Sequence, residues 1–373
     1  MTLAISLEPL RDPAALAAEW QALQARARAS FFQSWSWIGC WLGQLPPEAR
    51  PLLLRADQDG RAVALALLLR RTGRRRLAIR SRGLHLHDTG GSALDAITIE
   101  RNGLLVDAAL PGLSERCLAW LAAEAEWDEL HLPGIDAAQA LRLERLGLPL
   151  RILDRKPCFV AALDRPAEAA LSGNTRSQLR RSIRLYEAEG PLRLEAAGGV
   201  DEALAILDQL KQLHQDSWRA RGRPGAFAVA SFERFHRALI AARFPAGEIQ
   251  LLRIRAGGRV VGCLYNLRQG SRVYSYQSGL ERPPTARHKP GMVCHALAMD
   301  WSRAAGAQRY DFLAGANQLK RSLGCPEQEL VWAVVQRDRL RFRLERRALA
   351  LVGRSGGPSR PGRADGPAAA TEA

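Results

Sequence analysis

One unit of sequence occurs twice in this chain, and it narrows the fold more than any other feature. Pro111-Gly112 opens a helical stretch to about Glu126, a short strand follows at Glu129–Leu132, and Pro133-Gly134 closes the unit. In the second half Pro290-Gly291 opens a helix over 291–305, with Val293, Leu297 and Trp301 at four-residue steps. A strand follows at Gln308–Leu313, and Ala314-Gly315 closes it. From Gly112 to Gly134 is 22 residues, and from Gly291 to Gly315 is 24. A duplicated α/β domain accounts for that agreement. Hairpins precede each copy. The first has strands at 51–56 and 62–69 around Asp59-Gly60, with further strand segments at 77–80 and 103–106. The second has strands at 248–255 and 259–267 around Gly257-Gly258, then 272–278 after Gln269-Gly270. Hairpins are antiparallel and a helical crossover is parallel, so each sheet should be mixed and mostly antiparallel, flanked by helices.

At 373 residues the chain can bury a core in each of two domains. The expected boundaries are 1–155 and 156–338, then a basic amphipathic helix at 339–352 and a disordered Gly/Pro/Ala-rich tail at 353–373. Between the repeats, helical stripes run over 174–189 (Leu179, Ile183, Tyr186), 201–220 (Leu204, Leu207, Leu210, His214) and 231–243 (Phe232, Phe235, Leu239). The longest apolar run, Val63 to Leu69, is too short to span a bilayer. The N-terminus has no basic n-region, so no signal peptide is expected. Six cysteines without a C-x-x-C pair fit a reducing cytoplasm and predict no metal site. The net charge of +16 suits polyanionic partners: a nucleotide cofactor, a nucleic acid or an acidic membrane surface.

Five groups of residues could carry chemistry. Arg287, His288 and Lys289 stand directly before the helix that opens at Gly291 and Met292. A helix N-terminus presents unpaired N–H groups and partial positive charge, and glycine allows close approach. This is either an anion site or an ordinary Pro-Gly turn. Arg176, Arg180 and Arg184 form a stripe at four-residue steps, with Arg181 beside it. Like charges at that spacing oppose the helix, so the cluster is a solvated face or an anion site. His214 lies four residues before Trp218 on one helical face, and Tyr274 and Tyr276 share one face of a strand. His85 and His87 have strand spacing for a metal but no evident third ligand, and Trp37 and Trp41 read as first-domain core.

The order of hairpin, third strand, basic loop with Pro-Gly, helix and a strand reading YDF resembles the GNAT acyltransferase fold. In its duplicated form it resembles the CelD/BcsL-like (BioF2-like) group, similar in fold to the Fem aminoacyltransferases. The stretches FFQSWSWIGCW (31–41), TRSQLRRSIRLYEAEG (175–190), LHQDSWRARGRPGAF (213–227) and RYDFLAGANQLKRSLG (309–324) carry the resemblance. It departs from the group's D-x-x-Y-K pattern, where Ala316 and Leu319 replace the acid and the tyrosine while Lys320 remains.

The resemblance implies tandem GNAT-like domains and acyl transfer from acetyl-CoA or another acyl-CoA to an amine, without a metal. Arg287, His288, Lys289, Gly291 and Met292 would hold the CoA pyrophosphate, and the pantetheine arm would lie between strands 272–278 and 308–313. Asp311 would act as base or orient the amine, Lys320 would stabilise the oxyanion or hold a phosphate, and one of Tyr274 and Tyr276 would protonate the thiolate. His214 is the histidine covered by the motifs. Arg176, Arg180, Arg181, Arg184 and Trp218 would face the acceptor, a small molecule or glycan-precursor amine rather than DNA. The setting would be cytoplasmic polysaccharide or cell-envelope biosynthesis, with 339–352 as a peripheral contact to membrane or a polysaccharide synthase. Two other roles are a Fem-like transferase using aminoacyl-tRNA and a non-enzymatic partner of a synthase.

Overall fold

The computed structural model describes residues 3–75, 78–91, 94–97, 99–124 and 126–355. The chain divides into two units, one formed by residues up to Arg155 together with Leu330 onward, the other by Lys156–Glu329. The first contains β1 (Leu3–Pro9), α1 (Pro13–Gln24), α2 (Trp35–Gly43), β2 (Leu52–Gln58), β3 (Arg61–Arg74), β4 (Arg80–Leu86), β5 (Leu105–Val106), α3 (Leu113–Glu124), β6 (Glu129–Asp136) and α4 (Ala137–Arg145). β7 (Leu150–Ala162) leads into the second unit. There follow α5 (Ala167–Ala170), α6 (Gly173–Glu187), β8 (Leu192–Ala196), α7 (Val200–Ala220), α8 (Ala230–Arg243), β9 (Ile249–Ala256), β10 (Arg259–Gln269), β11 (Arg272–Leu280), α9 (Pro290–Ala304), β12 (Arg309–Ala314) and α10 (Gln318–Leu323). β13 (Cys325–Gln336) and α11 (Leu340–Ser355) end the described chain.

The strands of the two units repeat one pairing order. In the first unit β1, β2, β3 and β4 are successive antiparallel neighbours, β4 pairs with β6 in parallel, and β6 pairs antiparallel with Leu330–Gln336 of β13. In the second, β8, β9, β10 and β11 are antiparallel neighbours, β11 pairs with β12 in parallel, and β12 pairs antiparallel with the second half of β7. Local chemistry explains the hairpins. Asp59 and Gly60 both take positive φ (51° and 79°) between β2 and β3, the geometry that suits strand twist at a two-residue turn. Asp12 caps α1 by accepting from the N–H groups of Ala14 and Ala15 at 2.9 and 3.0 Å.

Three expectations change. Residues 330–338 were expected in the second domain, but Leu330–Gln336 run in the sheet of the first. They carry the fully buried Leu330 and Val331, and they cover an edge of β6 whose backbone groups would otherwise lack partners. Pro133-Gly134 does not end its strand. β6 continues to Asp136, and the pair forms a bulge against β13, with Gly134 at φ 66°. The helix expected at 339–352 runs from Leu340 to Ser355, so it includes the start of the expected tail, whose remainder lies outside the described residues. Nor is it a free-standing docking element. Phe342 and Glu345 are buried in the first unit, Arg75 bonds Glu345 at 2.8 Å, and Arg341 pairs with the buried Asp128 at 2.6 Å. No helix among the described residues is long and apolar enough to cross a membrane.

The second unit has a core between its sheet and helices α6 and α9, built from residues such as Leu179, Tyr186, Leu264, Val293, Tyr310 and Phe312. The opposite face carries α7 and α8 over an aromatic layer. Trp37 and Trp41 are buried in the first unit, where Trp37 packs edge-on against Phe32 at 4.8 Å.

Candidate functional site

The feature that organises the second unit is a parallel pairing that stops early. β11 and β12 pair only over Arg272–Tyr274 and Arg309–Asp311. Beyond that point β11 stays on β10 as far as Leu280, while β12 stays on β7 through Ala314. A cleft therefore opens between 275–280 and 312–314. Each strand is bulged where the cleft begins, β11 opposite Tyr265/Asn266 and β12 between Asp311 and Ala314. Bulges increase local twist and turn strands apart.

The bulge on β12 is held by two of the expected catalytic residues. Leu313 has φ 60°, a left-handed conformation costly for a side chain with a Cβ. Its N–H donates to Asp311 Oδ1 at 2.9 Å. Lys320, only 5% exposed, donates from Nζ to the carbonyls of Ala314 at 2.7 Å and Leu313 at 3.4 Å. Asp311 Oδ2 accepts from Arg272 Nη1 at 2.9 Å, and Arg272 also pairs with Glu327 at 2.8 Å. Asp311 is fully buried with both oxygens engaged, and so ties the bulge of β12 to β11. Lys320 is neither a surface lysine nor pointed at solvent; from α10 its ammonium group reaches back to the last carbonyls of β12.

At the first turn of α9 the five expected cofactor residues separate. Arg287 and Lys289 are exposed. Lys289 is the N-cap of α9 and makes no side-chain cap, while its own N–H donates to Ser182 Oγ at 2.9 Å. His288 turns inward: its Nδ1 lies 2.9 Å from Thr285 Oγ1, and its ring meets Tyr186 edge-on at 5.0 Å. A Cβ on Gly291 would lie 3.1 Å from Leu319 and 3.2 Å from Leu280, so glycine here serves the close packing of α10 and β11 on α9. Met292 is core. Arg287, Lys289 and the uncapped helix end remain able to meet an anion.

The α7/α8 face holds the other polar groups. Tyr276 Oη lies 3.2 Å from His236 Nε2, and Tyr265 Oη lies 3.1 Å from His236 Nδ1. Burial pushes the His236 pKa down to about 3, so the ring is neutral near pH 7. A neutral imidazole donates to one tyrosine and accepts from the other, and the hydroxyl it donates to keeps its own proton for another acceptor. His214 is buried, stacked on Trp218 at 5.7 Å, and lowered to about 4 by burial and Arg221. Sequence reasoning missed His236 and Gln277. His236 sits one position after Phe235 of the apolar stripe, and Gln277 is a polar residue in a strand that otherwise reads as core; both signals were in the pattern.

The arginine stripe also separates. Arg176 donates to the carbonyls of Glu168 at 3.2 Å and Leu171 at 3.0 Å, and Arg180 bonds the Glu168 carboxylate at 2.6 Å, so both tie α6 to α5. Arg181 and Arg184 are exposed and make no hydrogen bond or ion pair among the described residues.

In the first unit the corresponding parallel pair, β4 with β6, ends at His85 and His131, whose rings stack at 4.2 Å. His87 accepts from Leu67 N–H at 3.1 Å through Nε2, which leaves Nδ1–H to donate to Asn102 Oδ1 at 2.9 Å. Glu115 occupies the first turn of α3. A cleft of about 460 Å³ is lined by Arg70, Arg71, Arg82 and Trp120 with Glu124 and Glu126, and Arg82 is already paired with Glu126 and Asp128. No group of three or more His, Cys, Asp or Glu that could hold a metal occurs among the described residues.

Comparison with known proteins agrees with this geometry. Residues 173–321 match the family model described as an acetyltransferase (GNAT) domain. No curated protein matches the chain by sequence. Among solved structures FemX is similar at 12% identity, covering 92% of this chain and 99% of that one with a TM-score of 0.56. A tandem GNAT protein from the clavulanic acid biosynthesis pathway is similar at 14% identity, covering 89% and 98% with a TM-score of 0.51. L-PGS from Bacillus licheniformis is similar at 13% identity, covering 92% and 97% with a TM-score of 0.51. Likeness at these identities is a likeness of fold. The second unit carries a GNAT-type acyltransferase domain, in a chain of two units with repeated topology.

Proposed function

We propose that the chain is an acyl-CoA-dependent N-acyltransferase whose reaction takes place in the cleft between β11 and β12. The early end of their parallel pairing carries this reading, because it leaves two strand edges open beside an uncapped helix N-terminus with two exposed cations. A pantetheine arm has amides that can pair with such an edge as an added strand does. The N–H groups at the start of α9, with Arg287 and Lys289, would face the pyrophosphate. A helix end contributes only about 0.3–2 kcal/mol, and micromolar binding needs about 8 kcal/mol, so the strand edges must supply much of the affinity.

In the reaction the amine nitrogen attacks the thioester carbonyl, the C–N bond forms and the C–S bond breaks. The thiolate takes the Tyr276 hydroxyl proton, with His236 holding that hydroxyl in place, and the proton lost by the amine returns to Tyr276 through solvent. Lys320 and Asp311 hold the bulge that keeps the cleft open. The first unit, with stacked histidines at its parallel pair and an acid at its helix start, serves as scaffold. Following the motif resemblance to the CelD/BcsL-like group, the acceptor belongs to polysaccharide or cell-envelope precursor metabolism, in the cytoplasm where CoA thioesters are made.

Isothermal titration with acetyl-CoA tests the reading. Micromolar binding is expected for the wild type, weakened at least about tenfold (1.4 kcal/mol) in Arg287→Glu/Lys289→Glu. Absence of binding by the wild type would overturn it. The similarity to FemX and the net charge of +16 favour one alternative, a Fem-like transfer from aminoacyl-tRNA. Binding of aminoacyl-tRNA without binding of acetyl-CoA would establish that donor instead.

A further inference from the structure

We infer that Gln277 and His214 form the acceptor-recognition site of the second unit, and that they take an amine whose neighbouring substituent is a neutral hydroxyl or amide. The inference rests on the acyltransferase reading and extends it to the class of acceptor. Gln277 is 2% exposed, yet neither Oε1 nor Nε2 has a hydrogen-bond partner. His214 is also 2% exposed, and neither ring nitrogen has one. Gln215 Oε1, next on the same helix, is buried and unpartnered as well. Buried polar atoms are nearly always paired, so unpartnered side chains gathered in one layer point to a group that pairs with them on binding.

Their placement agrees with this. Gln277 lies three residues beyond Tyr274, the last residue of β11 paired with β12. The bulge opposite Tyr265 brings Tyr276 and Gln277 to the same side of the sheet, the side of α7 and α8. α7 meets β9 through Gln209, which accepts from Arg253 at 3.4 Å, and then meets β11 at Leu210. There it packs so closely that a Cβ on Gly279 would overlap the Leu210 carbonyl oxygen. One turn further along the helix is His214, and one turn beyond that is Trp218. Phe227 and Phe232 connect His214 to Tyr276, with ring distances of 5.4, 5.1 and 6.3 Å. The unpartnered groups therefore share a layer with the hydroxyl assigned to the leaving thiolate.

The chemistry selects the ligand. A carboxamide offers two donors and an acceptor, and a neutral imidazole offers one of each. A hydroxyl or an amide, itself donor and acceptor, satisfies both. A carboxylate or phosphate could use only the donors and would lose its hydration opposite neutral groups.

The test is Gln277→Leu, which keeps a side chain of similar bulk and removes the polar atoms. Because an unpartnered buried amide is lost, the melting temperature should rise by about 2–4 °C. A fall would mean that Gln277 is already satisfied in the free protein, and would overturn the proposal. With acetyl-CoA as donor, CoA release should be faster with D-glucosamine or glycinamide than with glycine. The variant should raise KM for the neutral amine about tenfold and leave KM for acetyl-CoA unchanged. An equal rise in the acetyl-CoA KM would assign Gln277 to the cofactor arm, and a preference for glycine would assign the pocket to an anionic acceptor; either overturns the proposal. If no probe amine is turned over, D-glucosamine should still raise the melting temperature of the wild type and not of the variant, and equal responses overturn it. Failure of the wild type to bind acetyl-CoA would remove the acyltransferase reading and is read separately.

Discussion

Lys320 illustrates how much a single position owes to its surroundings. In the sequence it is the lysine of a motif whose tyrosine and acid are replaced, and it could as well be solvated. The structure buries it against the Ala314 and Leu313 carbonyls, next to the left-handed Leu313. A charged donor contributes about 1.5–3 kcal/mol to a hydrogen bond, so Lys320→Met should lower stability by about 2 kcal/mol. Urea unfolding checks this, and an unchanged midpoint would mean that the carbonyls find water instead. Asp311 was legible because YDF marks the strand, but only folding brings Arg272 and the Leu313 N–H onto its two oxygens. Arg287 and Lys289 were legible because exposure at a helix start follows from local pattern. The inward turn of His288 was not, because it depends on Tyr186 and Thr285.

At the scale of elements, the helix α11 shows the limit of reading amphipathicity. Its arginines and leucines suggested a surface-binding helix. One of its faces is already occupied, with Phe342 fully buried and lying under the Arg75 guanidinium at 5.1 Å. Phe342→Ala should therefore destabilise the first unit by about 3 kcal/mol, as large-to-small core changes do. Leu344→Ala, at a position 55% exposed, should stay within about 0.5 kcal/mol. Denaturation midpoints of the two variants decide the matter; similar small effects in both would return α11 to the surface. The repeated helix and strand, by contrast, were visible in sequence because period and punctuation are local properties.

Across the whole molecule the histidines set a pH limit. Burial lowers His85, His236 and His295 to about 3 and His87 and His214 to about 4, and His131 is also lowered. The unfolded chain takes up these protons near pH 6.5 while the folded chain does not. The unfolded state then binds more protons, so stability is complete above about pH 6.5 and falls as pH drops below it. Three such groups lie in each unit, which gives a slope of up to about 4 kcal/mol per pH unit in each. Urea midpoints should fall steeply between pH 6.5 and 5, and a flat profile over that range would contradict the burial of these rings as described.

The amino-acid order alone determined that there are two copies of one α/β unit, where their turns fall, and which helix start carries cations. Those properties depend on residues a few positions apart, where periodicity, glycine conformation and charge act directly. It did not determine which strand pairs with β6 and which with β12, since VWAVV pairs equally well with any apolar edge. Nor did it determine which polar residues are already spoken for. Asp311, Lys320 and His288 found partners through contacts that folding brings together, while Gln277 and His214 were buried without them. Hydrogen bonds reach about 3 Å, and only the packed chain decides which atoms come that close.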